Sequence, residues 1–394
     1  MRTIVITPEE LFDGEAAAIC RMLDAGARRV HLRHPGATQA RMAAIIQAIP
    51  ADLRSRLSLH DRFELAVPMG VGGVHLNSRN PQAPEGFTGL VSRSCHSIAE
   101  LAMYPDADYL FLSPVFDSIS KVGYTAHFSA DELSAAPLGR RVFALGGVRP
   151  RRFAELERLG FGGAAMLGAA WRPFRLADFR LQYITPAADS VEELAAGVEK
   201  ALTGGCRWVQ LRMKDAAAAD VVAAAESIAP LCRHHDAVFL LDDRVELVQA
   251  VGVDGVHVGQ NDMPVADVRR ALGPGYIVGA TANTLADMTA AAAAGADYIG
   301  LGPYRFTTTK KNLKPTLGAE GYRRLMDGAR AAGVRIPVVA IGGIEPADVA
   351  AIAPSGVAGV AVSGAIATAP SPSAKTNEFI NQLNTYLSCL SCRN

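Results

Sequence analysis

The feature that most restricts what this chain can fold into is that one plan is written in it twice. TIVITP at Thr3–Pro8 returns as LQYITP at Leu181–Pro186, and AGARRVHLRHPG at Ala25–Gly36 as GGCRWVQLRMKD at Gly204–Asp215. LSLHDRFELA at Leu57–Ala66 returns as FLLDDRVELV at Phe239–Val248, GGVHLNSRN at Gly72–Asn80 as DGVHVGQND at Asp254–Asp262, and ALGG at Ala144–Gly147 as AIGG at Ala340–Gly343. The order is kept while the spacing between partners widens, so the insertions fall in loops of the second copy. A solenoid needs many short repeats; an ordered set of long matches means two related domains in tandem.

Within the second copy, eight short β-type runs can be marked: Leu181–Thr185, Trp208–Arg212, Val238–Leu241, Gly255–Val258, Tyr276–Ala280, Tyr298–Leu301, Val338–Ile341 and Gly359–Val362. Helical patterns alternate with them at Val191–Leu202, Asp220–Cys232, Val265–Leu272, Leu285–Ala294, Tyr322–Ala332 and Pro346–Ile352. Apolar strands alternating with helices are the signature of parallel βαβ units, and eight of them predict a closed (β/α)₈ barrel. The first copy gives eight comparable runs between Thr3 and Met166. The expected fold is therefore α/β, two tandem (β/α)₈ TIM barrels, spanning residues 1–173 and 178–394. The linker is placed near Trp171–Asp178; a Pro/Ser/Ala-rich stretch at Ala367–Lys375 precedes a last amphipathic helix from about Glu378 to Leu387.

Lysine plus arginine and aspartate plus glutamate both number 39, which speaks against nucleic acid or an anionic membrane as main partner and leaves room for a local basic pocket. No apolar run reaches the length of a membrane span, and the first strand begins at Thr3 with no room for a signal peptide. Six scattered cysteines fit reduced thiols in a cytoplasmic protein. Cys389 and Cys392 form a C-x-x-C without a partner pair or a βαβ setting, so a redox or metal role for that tail has little support.

In such a barrel the chemistry belongs at the C-terminal ends of the strands. The second strand of copy two ends in Gln210, Arg212 and Lys214, which alternation turns toward the mouth together. The third ends in Asp242-Asp243 and the fourth in Gln260-Asn261-Asp262. Carboxylates from adjacent strands beside cationic side chains suit Mg²⁺, although Asp243 and Asp262 could each equally cap a helix. His257, and His75 at the same place in copy one, sit among apolar residues and read as core histidines. Gly342-Gly343 and Val362-Ser363-Gly364 close the seventh and eighth strands, where glycine turns and helix N-termini can surround an anion. After Tyr298–Leu301 comes a long loop, GPYRFTTTKKNLKP, whose Thr307, Thr308, Thr309, Lys310 and Lys311 offer hydroxyls and positive charge to a phosphate. Copy one has a weaker version, with Ser118, Ser120 and Lys121 matching Thr307, Thr309 and Lys310. Two anion-binding regions, one with metal and cations and one with glycine-rich backbone, would accommodate a pyrophosphate ester and a phosphate monoester. Metal-assisted departure of pyrophosphate needs placed charge more than a protein nucleophile.

Taken together, Gln210-Leu211-Arg212, Asp242-Asp243, DGVHVGQND, GLGP with TTTKK, AIGG and Ser363-Gly364 resemble the thiamine phosphate synthase family, over about residues 180–388. The resemblance implies a Mg²⁺-dependent transferase. It joins 4-amino-5-hydroxymethyl-2-methylpyrimidine diphosphate to 4-methyl-5-(2-phosphoethyl)thiazole, or its carboxylated form, and releases pyrophosphate; the pyrimidine C–O bond breaks before the thiazole nitrogen attacks. By position it implies Asp243 and Asp262 as Mg²⁺ ligands. Gln210, Arg212, Lys214, Asp242, Thr281 and Lys310 would hold the pyrimidine diphosphate, with Arg212, Thr281 and Lys310 as the catalytic set. Thr307, Thr309, Gly342, Gly343, Val362, Ser363 and Gly364 would hold the thiazole phosphate. Two positions depart from the family pattern: Asp242 stands where Asn is frequent, and Asn283 where many members have His.

The first copy resembles the same superfamily with altered chemistry. His31 replaces Gln210, Pro35 replaces Lys214, His60 replaces Asp242 and Asn80 replaces Asp262, while Arg33, Asp61 and Lys121 persist. Each charge lost from a dry site costs about 1.5–3 kcal/mol, so metal-pyrophosphate binding should be much weaker there. The pattern is closer to the thiazole tautomerase (TenI-like) relatives, and His96 falls at the place of their histidine. A non-catalytic scaffold and a second synthase are the competing readings for this copy. For the whole chain the alternative is a phosphate-ligand binding or sensor module, and a homo-oligomer stays open.

Overall fold

In a computed structural model of the chain, described over residues 1–12, 14–117, 125–171, 180–306 and 315–391, both copies close into barrels of eight parallel strands. Contacts separate two compact units whose boundary in sequence lies between Arg172 and Pro173. Residues 172–179 lie outside the described residues, as do Ser118, Ser120, Lys121, Thr307, Thr309, Lys310 and Cys392.

The first barrel is built from β1 (Thr3–Ile6), β2 (Arg29–Leu32), β3 (Leu57–Leu59), β4 (Gly73–Leu76), β5 (Leu90–Cys95), β6 (Tyr109–Leu112), β7 (Gly139–Ala144) and β8 (Phe161–Met166), with β8 returning to β1. Its lumen holds Ile4, Ile6, Tyr109, Phe111, Phe143 and Ala165. Trp171, assigned from sequence to the linker, belongs to this barrel: it is buried, and its Nε1 donates to Ile6 O at 2.7 Å.

The second barrel follows with β9 (Leu181–Ile184), β10 (Trp208–Leu211), β11 (Val238–Asp242), β12 (Gly255–Val258), β13 (Ile277–Ala282), β14 (Tyr298–Leu301), β15 (Val338–Ile341) and β16 (Gly359–Val362), closed by β16 against β9. These strands are apolar on both sides because one face meets the lumen and the other the helices. Lumen-facing Trp208, Val238, Leu240, Ile277, Tyr298, Val339 and Ala361 form a plug. Each such burial contributes about 1.5–3 kcal/mol relative to exposure. Helix Val191–Thr203 shows the outer layer: Ser190 caps it by accepting from Glu193 N, and Leu194, Val198, Ala201 and Leu202 form its buried stripe.

The last helix runs from Pro372 to Ser391, well beyond the expected Glu378–Leu387. The proline and serine at the end of the Pro/Ser/Ala-rich stretch are its start. Proline is favoured in a first helical turn, and Ser371 Oγ accepts from Ala374 N. Thr376, Phe379 and Leu383 bury one face of it. No helix among the described residues is long and apolar enough to cross a membrane.

Candidate active site

The C-terminal ends of β10, β11 and β12 bring Gln210, Arg212, Lys214, Asp242, Asp243 and Asp262 into one cluster. Gln210 is buried and donates from Nε2 to Asp242 Oδ1 at 2.5 Å, while Arg212 Nε lies 3.5 Å from Asp242 Oδ2. Lys214 Nζ sits between the other two carboxylates, 3.3 Å from Asp243 Oδ2 and 4.0 Å from Asp262 Oδ1. Asp243 has a left-handed backbone, φ 64°, and its amide donates to His257 O at 2.8 Å, so the chain turns sharply there and holds the carboxyl in place.

Asp243 Oδ2 is buried without a hydrogen-bond partner, and Lys214 approaches it as an ion pair. Nor is Asp243 a helix cap, because the short helix that follows, Val245–Leu247, has no side-chain cap. Asp262 closes its own loop by accepting from Gly259 N at 2.8 Å. Burial, then the charge of Asp242, then the Asp262 carboxylate push the Asp243 carboxyl up to about 7. Asp243 and Asp262, placed from sequence as a pair, are thus neighbours whose mutual repulsion lacks a full counter-charge. Lys214 is itself raised: burial lowers its pKa, but Asp243 and Asp262 outweigh that. An orphaned carboxylate oxygen, a second carboxylate and water access at the mouth fit a hard divalent ion.

Beneath this cluster lies a layer in which sequence reasoning found His257 and Thr281 but missed the parts of Gln182 and Tyr298. Gln182 Nε2 donates to Gln210 Oε1 and to Tyr298 Oη, both at 3.1 Å, and His257 bridges Tyr298 Oη and Thr281 Oγ1 at 2.9 Å each. The layer fixes Gln210 and Thr281 from below. Its signal was legible in part: Gln182 is a polar residue in the middle of an apolar strand, on the same face as Ile184. His257 is the hydrogen-bonded core histidine expected.

At β15 and β16, Gly342 and Gly343 have φ 93° and 66°, and a Cβ on Gly342 would stand 2.7 Å from Pro303 Cβ. The turn after β15 is therefore pressed against the start of the loop after β14, and Tyr322 ties both strand ends by donating to Leu301 O and accepting from Ile341 N. Gly364 opens a short helix with free space where a Cβ would stand, directly after Ser363. Val362 has its side chain in the buried core, so the role expected of it at the mouth falls to its backbone.

In the first barrel the same positions carry different chemistry. Asp61 is gripped by Arg79, Nε at 3.0 Å and Nη2 at 3.1 Å, and accepts from Asn80 Nδ2 at 3.1 Å. His31 and His60 share a hydrogen bond at 2.9 Å, His31 meets Tyr109 Oη at 2.7 Å, and His75 meets Ser92 and Ser94 hydroxyls at 2.9 and 3.0 Å. Ring nitrogens of the three histidines lie within 4.8 Å of one another, close enough for a transition ion, although they are already engaged with each other and with hydroxyls. Burial, followed by neighbouring positive charge, lowers all three, His75 to about 3, so they are neutral imidazoles at pH 7. His96 is exposed just past β5, and its Nδ1 is 3.1 Å from Ser113 O. Asn283 makes the matching contact to Gly302 O in the second barrel.

Closed parallel barrels with their polar residues gathered beyond the strand C-termini define the class: enzymes of the (β/α)₈ type. A sequence profile described as thiamine monophosphate synthase matches twice, at residues 3–170 and 181–366. The chain belongs to the thiamine monophosphate synthase family, in duplicate, and so among the enzymes of thiamine biosynthesis. It is similar to a thiamine-phosphate synthase of Bacteroides fragilis, 50% identical over 201 residues that make up 51% of this chain and 98% of that protein. A thiamine biosynthesis bifunctional protein ThiM/ThiE of Symbiobacterium thermophilum is 34% identical over 267 residues, 68% of this chain and 52% of that protein. Among solved structures, a thiamine phosphate pyrophosphorylase from Pyrococcus furiosus aligns with TM-score 0.47 and 33% identity, covering 54% of this chain and 98% of its own.

Proposed function

We propose that the second barrel joins 4-amino-5-hydroxymethyl-2-methylpyrimidine diphosphate to thiazole phosphate, or carboxythiazole phosphate, giving thiamine phosphate and pyrophosphate with Mg²⁺. The observation that carries this reading is the convergence of Asp243 and Asp262 on one lysine, with Asp243 Oδ2 buried and unsatisfied. Those two carboxylates would hold Mg²⁺, which when bound neutralises charge on the departing pyrophosphate. Arg212 and Lys214 supply fixed positive charge beside it, and Lys310 would add more from the loop after β14. Gln210 and Asp242, locked to each other, and Thr281, locked to His257, would orient the pyrimidine. Thr307, Thr309 and the turns at Gly342-Gly343 and Val362-Ser363-Gly364 would take the thiazole phosphate, bringing its nitrogen to the carbon that loses pyrophosphate.

The test is product formation by Asp243→Asn in the full chain, chosen because Asn also tolerates a left-handed backbone. Loss of one charge at the reacting centre should lower kcat/KM about 10²–10³-fold. Turnover within about twofold of the parent protein would defeat the metal assignment.

For the first barrel we propose proton transfer on the carboxylated thiazole phosphate, with His96 as the base. A hydrogen bond from Nδ1–H to Ser113 O leaves the Nε2 lone pair free at an exposed strand end. Asp61, already neutralised by Arg79, supports a role without Mg²⁺. If His96→Ala handles the untautomerised carboxylated thiazole as the parent does, the tautomerase reading is removed.

A further inference from the structure

The opposite end of the first barrel carries a cavity, at the N-terminal ends of its strands. It measures about 610 Å³ and is lined by Arg2, Arg28, Arg29 and Arg56. A smaller one of about 260 Å³ shares Arg2, Arg28 and Arg29 and adds Arg140 and Arg141. Strand alternation explains the convergence: Arg2 lies on the face of β1 that carries Ile4 and Ile6 into the lumen, and Arg29 on the face of β2 that carries His31. Arg29 is 8% exposed, and Arg2 stacks over the lumen-facing Phe143 ring at 5.0 Å.

The partners of these guanidinium groups are neutral. Arg29 Nη1 donates to Leu57 O at 2.5 Å and to Ser58 Oγ at 3.3 Å, Arg2 Nε to Gly162 O at 2.7 Å, and Arg56 Nη2 to Leu23 O at 2.8 Å. Arg141 donates to four backbone carbonyls. Among the described residues none of the six forms an ion pair; Asp108, lining the smaller cavity, accepts from Val91 N at 2.7 Å. Carbonyls satisfy donors without supplying a counter-charge, and Asp108 is the one acidic side chain among the residues lining the two cavities, so the guanidinium charges are only partly offset; burying charge without a full counter-charge is costly. Consistent with that, Arg2 and Arg29 are both held below the usual arginine range, first by burial, with Arg28 among the neighbours that add repulsion.

The fold does not require this. By register, Val30 faces Leu57 as Val209 faces Phe239, so Arg29 stands where the second barrel has Trp208, and Arg56 where it has Val238. There Trp208 is fully buried and lies edge-on to Tyr298 at 4.6 Å, in an apolar plug. Two plug positions have thus become guanidinium groups in the first barrel alone.

We propose that this basic cavity of the first barrel binds a small multiply charged anion bearing a pyrophosphate or phosphate group, at a site separate from the strand C-termini.

The test uses the full chain, titrated calorimetrically with inorganic pyrophosphate and with inorganic phosphate, without divalent metal. Arg28→Gln, at the exposed rim, and Arg2→Gln should each weaken one binding event about tenfold, the scale of a charge-assisted contact. The synthase turnover should not change. Tighter binding of pyrophosphate than of phosphate would mark a diphosphate-bearing ligand, and the reverse a monoester. Equal affinities in the parent and both variants, or no binding event beyond the one abolished by Lys214→Gln, would overturn the proposal.

Discussion

Arg79 holds Asp61 with two nitrogens at 3.0 and 3.1 Å, whereas the matching carboxylate of the second barrel, Asp243, has a buried oxygen with no hydrogen-bond partner. One plan has been kept and its charge arrangement reversed. The first barrel has satisfied its acid internally; the second has left it unsatisfied beside another acid. Replacing Arg79→Asn and Asn80→Asp together should therefore give the first barrel a carboxylate pair, seen as one additional Mn²⁺ bound per chain in equilibrium dialysis. Unchanged stoichiometry would show that Arg79 is not what silences Asp61.

Proton competition at the second barrel follows from Asp243, whose carboxyl is pushed up to about 7 by burial, Asp242 and Asp262. Below that pH the site holds a proton that a metal ion must displace. Mn²⁺ affinity should fall about tenfold per unit as pH drops from 7 toward 5, with uptake of the ion releasing a proton to buffer. Calorimetry in two buffers of different ionisation enthalpy reads this directly. For stability the sign is opposite: a carboxyl raised from 3.8 favours the folded state as pH falls from 7 toward 4.

Acid should act the other way on the first barrel. His75 is lowered from 6.5 to about 3 by burial and the charges of Arg93 and Arg33, with His31 and His60 lowered as well. A depressed histidine contributes stability above 6.5 that is lost as pH falls toward its folded value, because the unfolded chain takes up the proton first. Urea unfolding of the full chain should show its first-barrel transition at lower urea at pH 5 than at pH 7, and His75→Gln should flatten that dependence.

Two glycine substitutions separate backbone need from ligand contact. Gly342→Ala places a Cβ 2.7 Å from Pro303 at φ 93°, so it should destabilise the fold. Gly364→Ala meets open space, and should leave stability within about 0.5 kcal/mol. A raised KM for thiazole phosphate in Gly364→Ala would then report the anion site itself.

Much of this was legible in the chain. Strands such as Val338–Ile341 and Gly359–Val362 are apolar on both faces, and the abrupt polar break after each, at Gly342 or Ser363, marks the mouth of the barrel. Asp243 and Asp262 could be paired because adjacent parallel strands end side by side. What stayed hidden depends on contacts distant in sequence. Nothing near Asp61 announces that Arg79 folds back onto it, and no local pattern says that Trp208 plugs a lumen while Arg29 opens one. The last helix was expected to start too late, at about Glu378 and not Pro372, because proline and serine begin helices as readily as they occur in irregular stretches.

The central claim, that Asp243 and Asp262 share one divalent ion, is tested most directly by Mn²⁺ titration of the full chain followed by electron paramagnetic resonance at pH 8. Asp243→Asn and Asp262→Asn should each abolish the same single tight site while Asp61→Asn leaves it intact. Retention of that site, with unchanged affinity, in either second-barrel variant would contradict the account.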